Sequence, residues 1–154
     1  MSYICHSGYG YSKVLCEDVT TWFLNNFFPN HKITVDIVHR GLKREEVYGY
    51  CDVIGDYHRP RHFQIELQAH MDKDMYIQTL FHELTHMAQW IRGSLRSRYG
   101  KLCYCKEPVD NYEYWYMPHE VEAREEEERL YVMYLTDKEC YQQNVFANRL
   151  MSGV

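Results

Sequence analysis

The sequence contains no run of 18 or more apolar residues, so no segment has the length and composition of a transmembrane helix. Residues 1–10 also lack the basic region and the continuous apolar stretch of a secretory signal peptide. We therefore expect no membrane partner and a cytoplasmic location.

Positive charge is also in short supply. The chain has 17 lysines and arginines against 22 aspartates and glutamates, which leaves a net charge of −5 with histidine neutral. Proteins that bind nucleic acid through its phosphates usually carry a positive surface, so this balance argues against a nucleic-acid partner. A short basic stretch occurs between residues 92 and 101, and we interpret it as a solvated loop.

Six cysteines occur without a secretory signal, so we expect thiols rather than a disulfide framework. Cys103 and Cys105 form a C-x-C pair, but a closed structural zinc site needs four ligands. We interpret all six as ordinary thiols.

Length and composition predict one folded domain over residues 1–154. A chain of 154 residues with 45% hydrophobic and 25% charged residues falls in the ordinary range for a globular domain. No internal repeat or low-complexity linker divides it.

The hydrophobic pattern predicts an α+β fold. Apolar residues recur at helical spacing in residues 12–28 and again in residues 74–92. Between these helices, three stretches have the pattern of strands, namely residues 33–37, 47–54 and 62–68. Because their connections are short, we expect a small, mainly antiparallel three-stranded sheet.

After the second predicted helix, residues 94–117 contain turn-forming residues and closely spaced aromatics, and we expect an irregular segment. Pro118 suits the first turn of a further helix, and helical spacing recurs from about residue 137 to residue 151. The sequence therefore predicts one or two C-terminal helices.

The chemistry is concentrated in one motif within the second predicted helix. His82, Glu83 and His86 stand in the pattern H-E-x-x-H. Residues i and i+4 of a helix share a face, so both imidazoles can reach one ion, while Glu83 is offset by about 100° and can flank it. This predicts one catalytic Zn²⁺ bound by His82 and His86, with Glu83 as the general base that deprotonates a zinc-bound water.

A catalytic zinc of this kind needs a third protein ligand. The start of the next predicted helix supplies carboxylates, and we expect Glu120 to be the ligand. The small Ala123, one turn later, lets this helix approach the motif helix closely. Glu122 and His119 remain as alternative ligands.

Two stretches, HELTHMAQW and YWYMPHEVEAREEEERLY, resemble the minimal gluzincin-type zinc metallopeptidases, especially short phage-encoded and bacterial metallopeptidase-like proteins. The shared motifs are H-E-x-x-H-x-x-Q and P-x-E-x-E-A, and the resemblance covers about residues 76–133. It implies a minimal zincin-like domain, Glu120 as third ligand and, if the protein is phage-encoded, the cytoplasm of the host. The metzincin motif is absent, because Gln89 replaces its glycine and no histidine follows at position 92.

Other residues are candidates for supporting roles. Gln89 is expected to line the cleft or to orient a residue behind the ligands. In zincins an exposed strand beside the motif helix binds an extended peptide, and residues 62–68 are the nearest candidate in sequence. The candidate donors to the oxyanion of a tetrahedral intermediate are Tyr112, Tyr114, Tyr116 and His119.

The leading hypothesis is a zinc-dependent peptidase that acts on a peptide or protein substrate. One alternative is a zincin-like binding or regulatory module with little turnover. The other is a nucleic-acid-associated peptidase like the SprT-like proteins, which share H-E-x-x-H, although the acidic balance argues against it. The sequence does not indicate an oligomeric state.

Overall fold

The structure of the chain is a computed structural model that describes residues 1–151. It confirms the α+β class. The α-helices span Lys13–Phe27 (α1), Lys73–Arg92 (α2) and Pro118–Met151 (α3). The strands span Tyr3–Gly8 (β1), Thr34–Arg40 (β2), Gly49–Val53 (β3), His62–Gln68 (β4), Leu95–Arg98 (β5), Lys101–Tyr104 (β6) and Glu107–Pro108 (β7), and short 3-10 turns span Lys43–Glu45, Val109–Asn111 and Tyr114–Tyr116.

The main sheet has four strands in the order β1-β2-β4-β3. The three predicted strands are present, but the expected antiparallel arrangement holds only for β3 and β4. Strand β2 is parallel to both β1 and β4, so the sheet is mixed. The prediction failed because β3 does not lie between its sequence neighbours. After β2 the chain forms β3 at the edge of the sheet, and β4 then occupies the position between β2 and β3.

Strand β1 was not predicted from the sequence. None of its residues is buried, so it lacks the apolar alternation that marks a half-buried strand. Its pairing with β2 is parallel, and α1 provides the connection that parallel strands need.

The position of β4 corrects a second expectation. Residues 62–68 pair with β2 on one side and with β3 on the other, so they are not an exposed edge. Alternate residues Phe63, Ile65 and Leu67 are fully buried, which suits a central strand. The free edge on this side of the sheet is β3.

The segment after α2 is more regular than expected. Gly93 ends α2 with a left-handed φ of 81°, the conformation that favours glycine at a helix C-terminus. Strands β5, β6 and β7 then form a small antiparallel sheet. All six cysteines lie in the described part of the chain and are free thiols.

The C-terminal part forms one continuous helix, α3, rather than two. Its middle is attached to α1 by polar contacts. The Trp22 indole donates to Asp137 at 2.8 Å, Lys138 lies 2.8 Å from Asp18, and the Tyr134 hydroxyl also donates to Asp18. No helix among the described residues combines the length and apolar composition needed to cross a membrane.

The core lies where α1, α2 and α3 meet the main sheet. The apolar stripe of α2 is buried there, and Ile77, Leu80, Phe81 and Leu84 are fully inaccessible. The Phe81 ring joins the three helices, because its centroid lies 5.5 Å from that of Trp22 and 5.9 Å from that of Tyr134.

Replacing Phe81 with alanine should therefore destabilise the whole domain. Removal of a buried phenylalanine costs about 3–5 kcal/mol, because apolar contacts are lost and a cavity remains. Urea unfolding followed by tryptophan fluorescence would measure the loss. The control is Val132→Ala on α3, where the side chain is 58% exposed, and its free energy of unfolding should change by less than about 0.5 kcal/mol. Equal effects of the two changes would contradict the packing role of Phe81.

Candidate metal centre

The three predicted ligands meet at one point. His82 Nε2 lies 3.0 Å from Glu120 Oε2, His86 Nε2 lies 3.0 Å from Glu120 Oε1, and the two Nε2 atoms are 3.2 Å apart. His86 and Glu120 are buried, and His82 is partly buried. Within residues 1–151, this is the group of side chains suited to hold a metal ion.

Helix geometry produces this convergence. His82 and His86 are one turn apart on α2, so their rings face the same side. Glu120 comes from the first turn of α3, after Met117 ends the preceding 3-10 turn. Ala123 is completely buried, as expected for a small residue that lets α3 approach another element closely.

The separations are compatible with a single tetrahedral metal ion, for which zinc is the reference. Zinc in proteins is tetrahedral with ligand distances of about 2.0–2.1 Å, so two of its ligand atoms are roughly 3.3 Å apart. One ligand atom from each of the three residues lies within 4.8 Å of the other two. The two Nε2 atoms are 3.2 Å apart, and each lies 3.0 Å from a different oxygen of the Glu120 carboxylate. Two imidazoles and one carboxylate are a donor set used for catalytic zinc, and they leave a fourth position open.

A chain of hydrogen bonds holds His86 in the correct tautomer. Gln89 donates through Nε2 to the His119 carbonyl and to Glu122 Oε1, both at 3.0 Å, so its amide oxygen faces His86. His86 Nδ1 lies 2.8 Å from that oxygen and must carry the proton, which leaves Nε2 free to bind a metal. Tyr104 completes the chain by donating to Glu122 Oε2 at 2.8 Å.

The predicted supporting role of Gln89 therefore has a specific geometry. Glu122, the alternative third ligand, lies in this chain behind His86 and outside the group of ligand atoms. His119 is buried beside the group, with Nε2 3.7 Å from Glu120 Oε1.

Glu127 orients the other imidazole and was missed by the sequence analysis. Its Oε2 lies 3.3 Å from His82 Nδ1, so His82 Nε2 faces the metal position. Glu127 belongs to an acidic run that reads as a solvated face. Its spacing could have indicated this role, because Glu127 lies seven residues after Glu120 and hence on the same face of α3.

The close approach of the three ligand side chains shifts their pKa values. Burial lowers the pKa of His82, but hydrogen bonds to Glu120 and Glu127 outweigh that effect and raise it to about 10. Burial alone would raise the pKa of Glu120, yet the two imidazoles hold it well below its usual range. A metal must displace protons from the imidazoles, so its affinity should fall as the pH is lowered.

Glu83 lies beside the ligands and is buried. Burial raises its pKa to about 7, while the neighbouring imidazoles oppose the rise. Gly49 of β3 allows the close approach, because a Cβ atom there would lie 3.0 Å from Glu83 Oε1. The predicted general base is therefore placed between the metal ligands and the free sheet edge.

An open cleft of about 520 Å³ leads to this group. One wall is β3, and the opposite wall includes Leu95, Ser97 and Leu102 of the β5–β6 hairpin. Tyr114 and His119 also line the cleft, whereas Tyr116 is not part of the lining. The two tyrosines are almost equally exposed, at 65% and 64%, so their position relative to the cleft is what distinguishes them. The remaining predicted donor, Tyr112, donates to Glu107 at 3.3 Å on the surface.

The ligand assignment can be tested by comparing three glutamates of α3. Glu120→Gln should weaken zinc binding more than Glu122→Gln, for which a roughly 10- to 100-fold loss is expected because it acts through Gln89. The exposed Glu125 provides the matched control, and Glu125→Gln should leave the affinity unchanged. Competitive titration with a chromogenic chelator measures the affinities, and circular dichroism checks the fold. A greater loss in Glu122→Gln would make Glu122 the ligand.

Comparisons of this chain with models of protein families, with curated protein sequences and with solved structures gave no match.

Proposed function

We propose that the protein is a zinc-dependent peptidase that hydrolyses peptide bonds with a metal-activated water. The supporting observation is the convergence of His82, His86 and Glu120 at the base of an open cleft, with the carboxylate of Glu83 beside them. This arrangement combines an ion site, a base and space for a substrate.

A bound Zn²⁺ would supply a Lewis acid that activates water and polarises the substrate carbonyl. Glu83 accepts the proton of the attacking water on its carboxylate and delivers it to the nitrogen of the leaving amine. A base with a pKa near 7 can both accept and donate a proton at neutral pH. Burial and the nearby imidazoles give Glu83 a pKa of about 7 in the metal-free protein.

Two side chains in the cleft are suited to stabilise the oxyanion. Burial and the carboxylates of Glu120 and Glu83 raise the pKa of Tyr114 to about 12, so its hydroxyl remains a donor at neutral pH. Burial and the charge of His86 lower the pKa of His119 to about 4, so its imidazole is neutral and donates from one ring nitrogen. Both residues line the same cleft as the ligands.

Strand β3 is suited to bind an extended peptide. Tyr48 accepts from the Gln68 amide, and the Ile54 amide donates to His62, so even-numbered residues of this segment pair with β4. Because pairing alternates along an antiparallel ladder, Gly49, Cys51 and Val53 direct their backbone groups to the free edge. A peptide that adds to this edge lies next to Glu83.

The hydrolytic role is tested by Glu83→Gln. This variant should bind zinc like the wild type but lose peptidase activity by roughly 10²–10⁴-fold, which is the usual contribution of general acid–base catalysis. The assay is cleavage of a mixture of fluorescence-quenched random peptides by zinc-loaded protein, with zinc content measured in parallel. Glu125→Gln is the matched control. Cleavage by Glu83→Gln at the wild-type rate would overturn the proposal, and so would the absence of cleavage by the zinc-loaded wild type.

Binding along β3 is tested by Cys51→Pro. Proline removes an amide that faces the free edge and leaves the ladder with β4 intact. Loss of one hydrogen bond, about 0.5–1.5 kcal/mol, should raise KM roughly two- to tenfold with kcat and zinc content unchanged. Cys51→Ala, which keeps the amide, should have the wild-type KM. An unchanged KM in Cys51→Pro would place the substrate elsewhere.

A further inference from the structure

A second cleft, of about 600 Å³, is surrounded by arginines. Its lining includes five exposed arginines: Arg59, Arg61, Arg92, Arg96 and Arg98. Asp56 is the one acidic residue in the lining. Within residues 1–151, none of the five arginines forms an ion pair with a carboxylate. We call this feature the basic cleft.

The basic cleft is a product of the fold. From the sequence, the stretch between residues 92 and 101 was expected to be a solvated loop. In the structure, the connection from β3 to β4 adds Arg59 and Arg61 to the arginines of α2 and β5. Unpaired like charges so close together repel one another, and an anion would relieve that repulsion.

The basic cleft continues from the cleft at the metal centre. Tyr57, Trp90, Leu95 and Ser97 line both. The junction lies beyond the C-terminal end of β3, whereas Glu83 lies at Gly49 near the other end. Val53 lies four residues after Gly49, and four steps along a strand correspond to about 13 Å.

The opposite end of the substrate path has a different charge. A cleft of about 430 Å³ there is lined by Glu46 and Glu127 in addition to Glu83 and Glu120. Its one arginine, Arg124, stacks on the ring of Trp115 at 3.8 Å. Arginines are thus concentrated at one end of the path along β3, and glutamates at the other.

We propose that the basic cleft binds acidic side chains of the peptide substrate, at positions about four or more residues to one side of the scissile bond. The inference rests on the proposed peptidase function and names its substrate class. Arginine suits the task, because its planar guanidinium binds a carboxylate through two parallel hydrogen bonds.

The occupant is a peptide rather than a nucleic acid because the basic surface is confined to one end of the path. A nucleic-acid strand that followed the path past Glu83 would bring its phosphates to Glu46 and Glu127.

Binding is measured first, without turnover. The probe is a fluorescein-labelled hexaglutamate peptide, and the protein is zinc-loaded Glu83→Gln, followed by fluorescence anisotropy. Arg61→Glu combined with Arg98→Glu in this background should weaken binding about tenfold or more, because two attractive charges become repulsive. Lys13→Glu combined with Lys32→Glu is the matched control, since both lysines are exposed, lie outside the cleft and change the net charge equally. The control should bind like the parent protein.

Two outcomes of the binding experiment would overturn the proposal. One is equal loss of hexaglutamate binding in both double variants, which would indicate a general charge effect. The other is tighter binding of a labelled single-stranded oligonucleotide of equal charge at 150 mM salt, which would assign the cleft to nucleic acid.

Cleavage is measured second, with wild-type protein and peptides that carry a random core. A block of four glutamates on one side of the core should raise the cleavage rate about tenfold, and the same block on the other side should not. Equal effects on both sides would contradict the proposal. If hexaglutamate binding depends on the arginines but no peptide is cleaved, the peptidase function fails while recognition of acidic peptides is supported.

Discussion

The close contact between α2 and α3 is the constraint on which the site depends. Glu120 reaches His82 and His86 across this contact, and the fully buried Ala123 occupies the next turn of α3. Burial of three ionisable groups at a helix interface is costly unless each finds a partner. The carboxylate of Glu120 lies within hydrogen-bond distance of both imidazoles, so each of these groups has a polar partner at the interface.

The residues behind the ligands also provide polar partners for buried groups. Each imidazole that faces the metal position is held through its Nδ1 atom, by Gln89 in one case and by Glu127 in the other. Gln89 also bonds to the His119 carbonyl, so it links the motif helix to the backbone of α3. His119 Nδ1 is the exception, since it is buried without a hydrogen-bond partner. The other ring nitrogen of His119, Nε2, faces the ligand group and lies 3.7 Å from Glu120 Oε1.

The shared helix face of His82 and His86 could be predicted because its geometry is local. The structure also brings Glu120 to this face, although the sequence alone left Glu122 and His119 as alternatives, and the role of Glu83 as a base stays a prediction. Prediction failed where distant segments decide the outcome. The parallel pairing of β1 with β2 depends on α1 as a connection, and the edge position of β3 depends on the return of β4 through the sheet. The choice of Tyr114 over Tyr116 depends on the rotation of a short 3-10 turn, which composition does not indicate.

The uninterrupted length of α3 connects the site to the core. Asp18 on α1 accepts a hydrogen bond from Tyr134 and forms an ion pair with Lys138. These two residues of α3 lie 14 and 18 residues beyond Glu120, or about 21 and 27 Å along the helix. A rigid helix that rotates about its axis at one end rotates by the same angle at the other. A rotation of about 100° would point each side chain in the direction of the next residue in the sequence. The contacts with Asp18 therefore restrict the direction in which Glu120 points. A break between two C-terminal helices would have released that restriction, so the continuity of α3 is part of how the chain positions its third ligand.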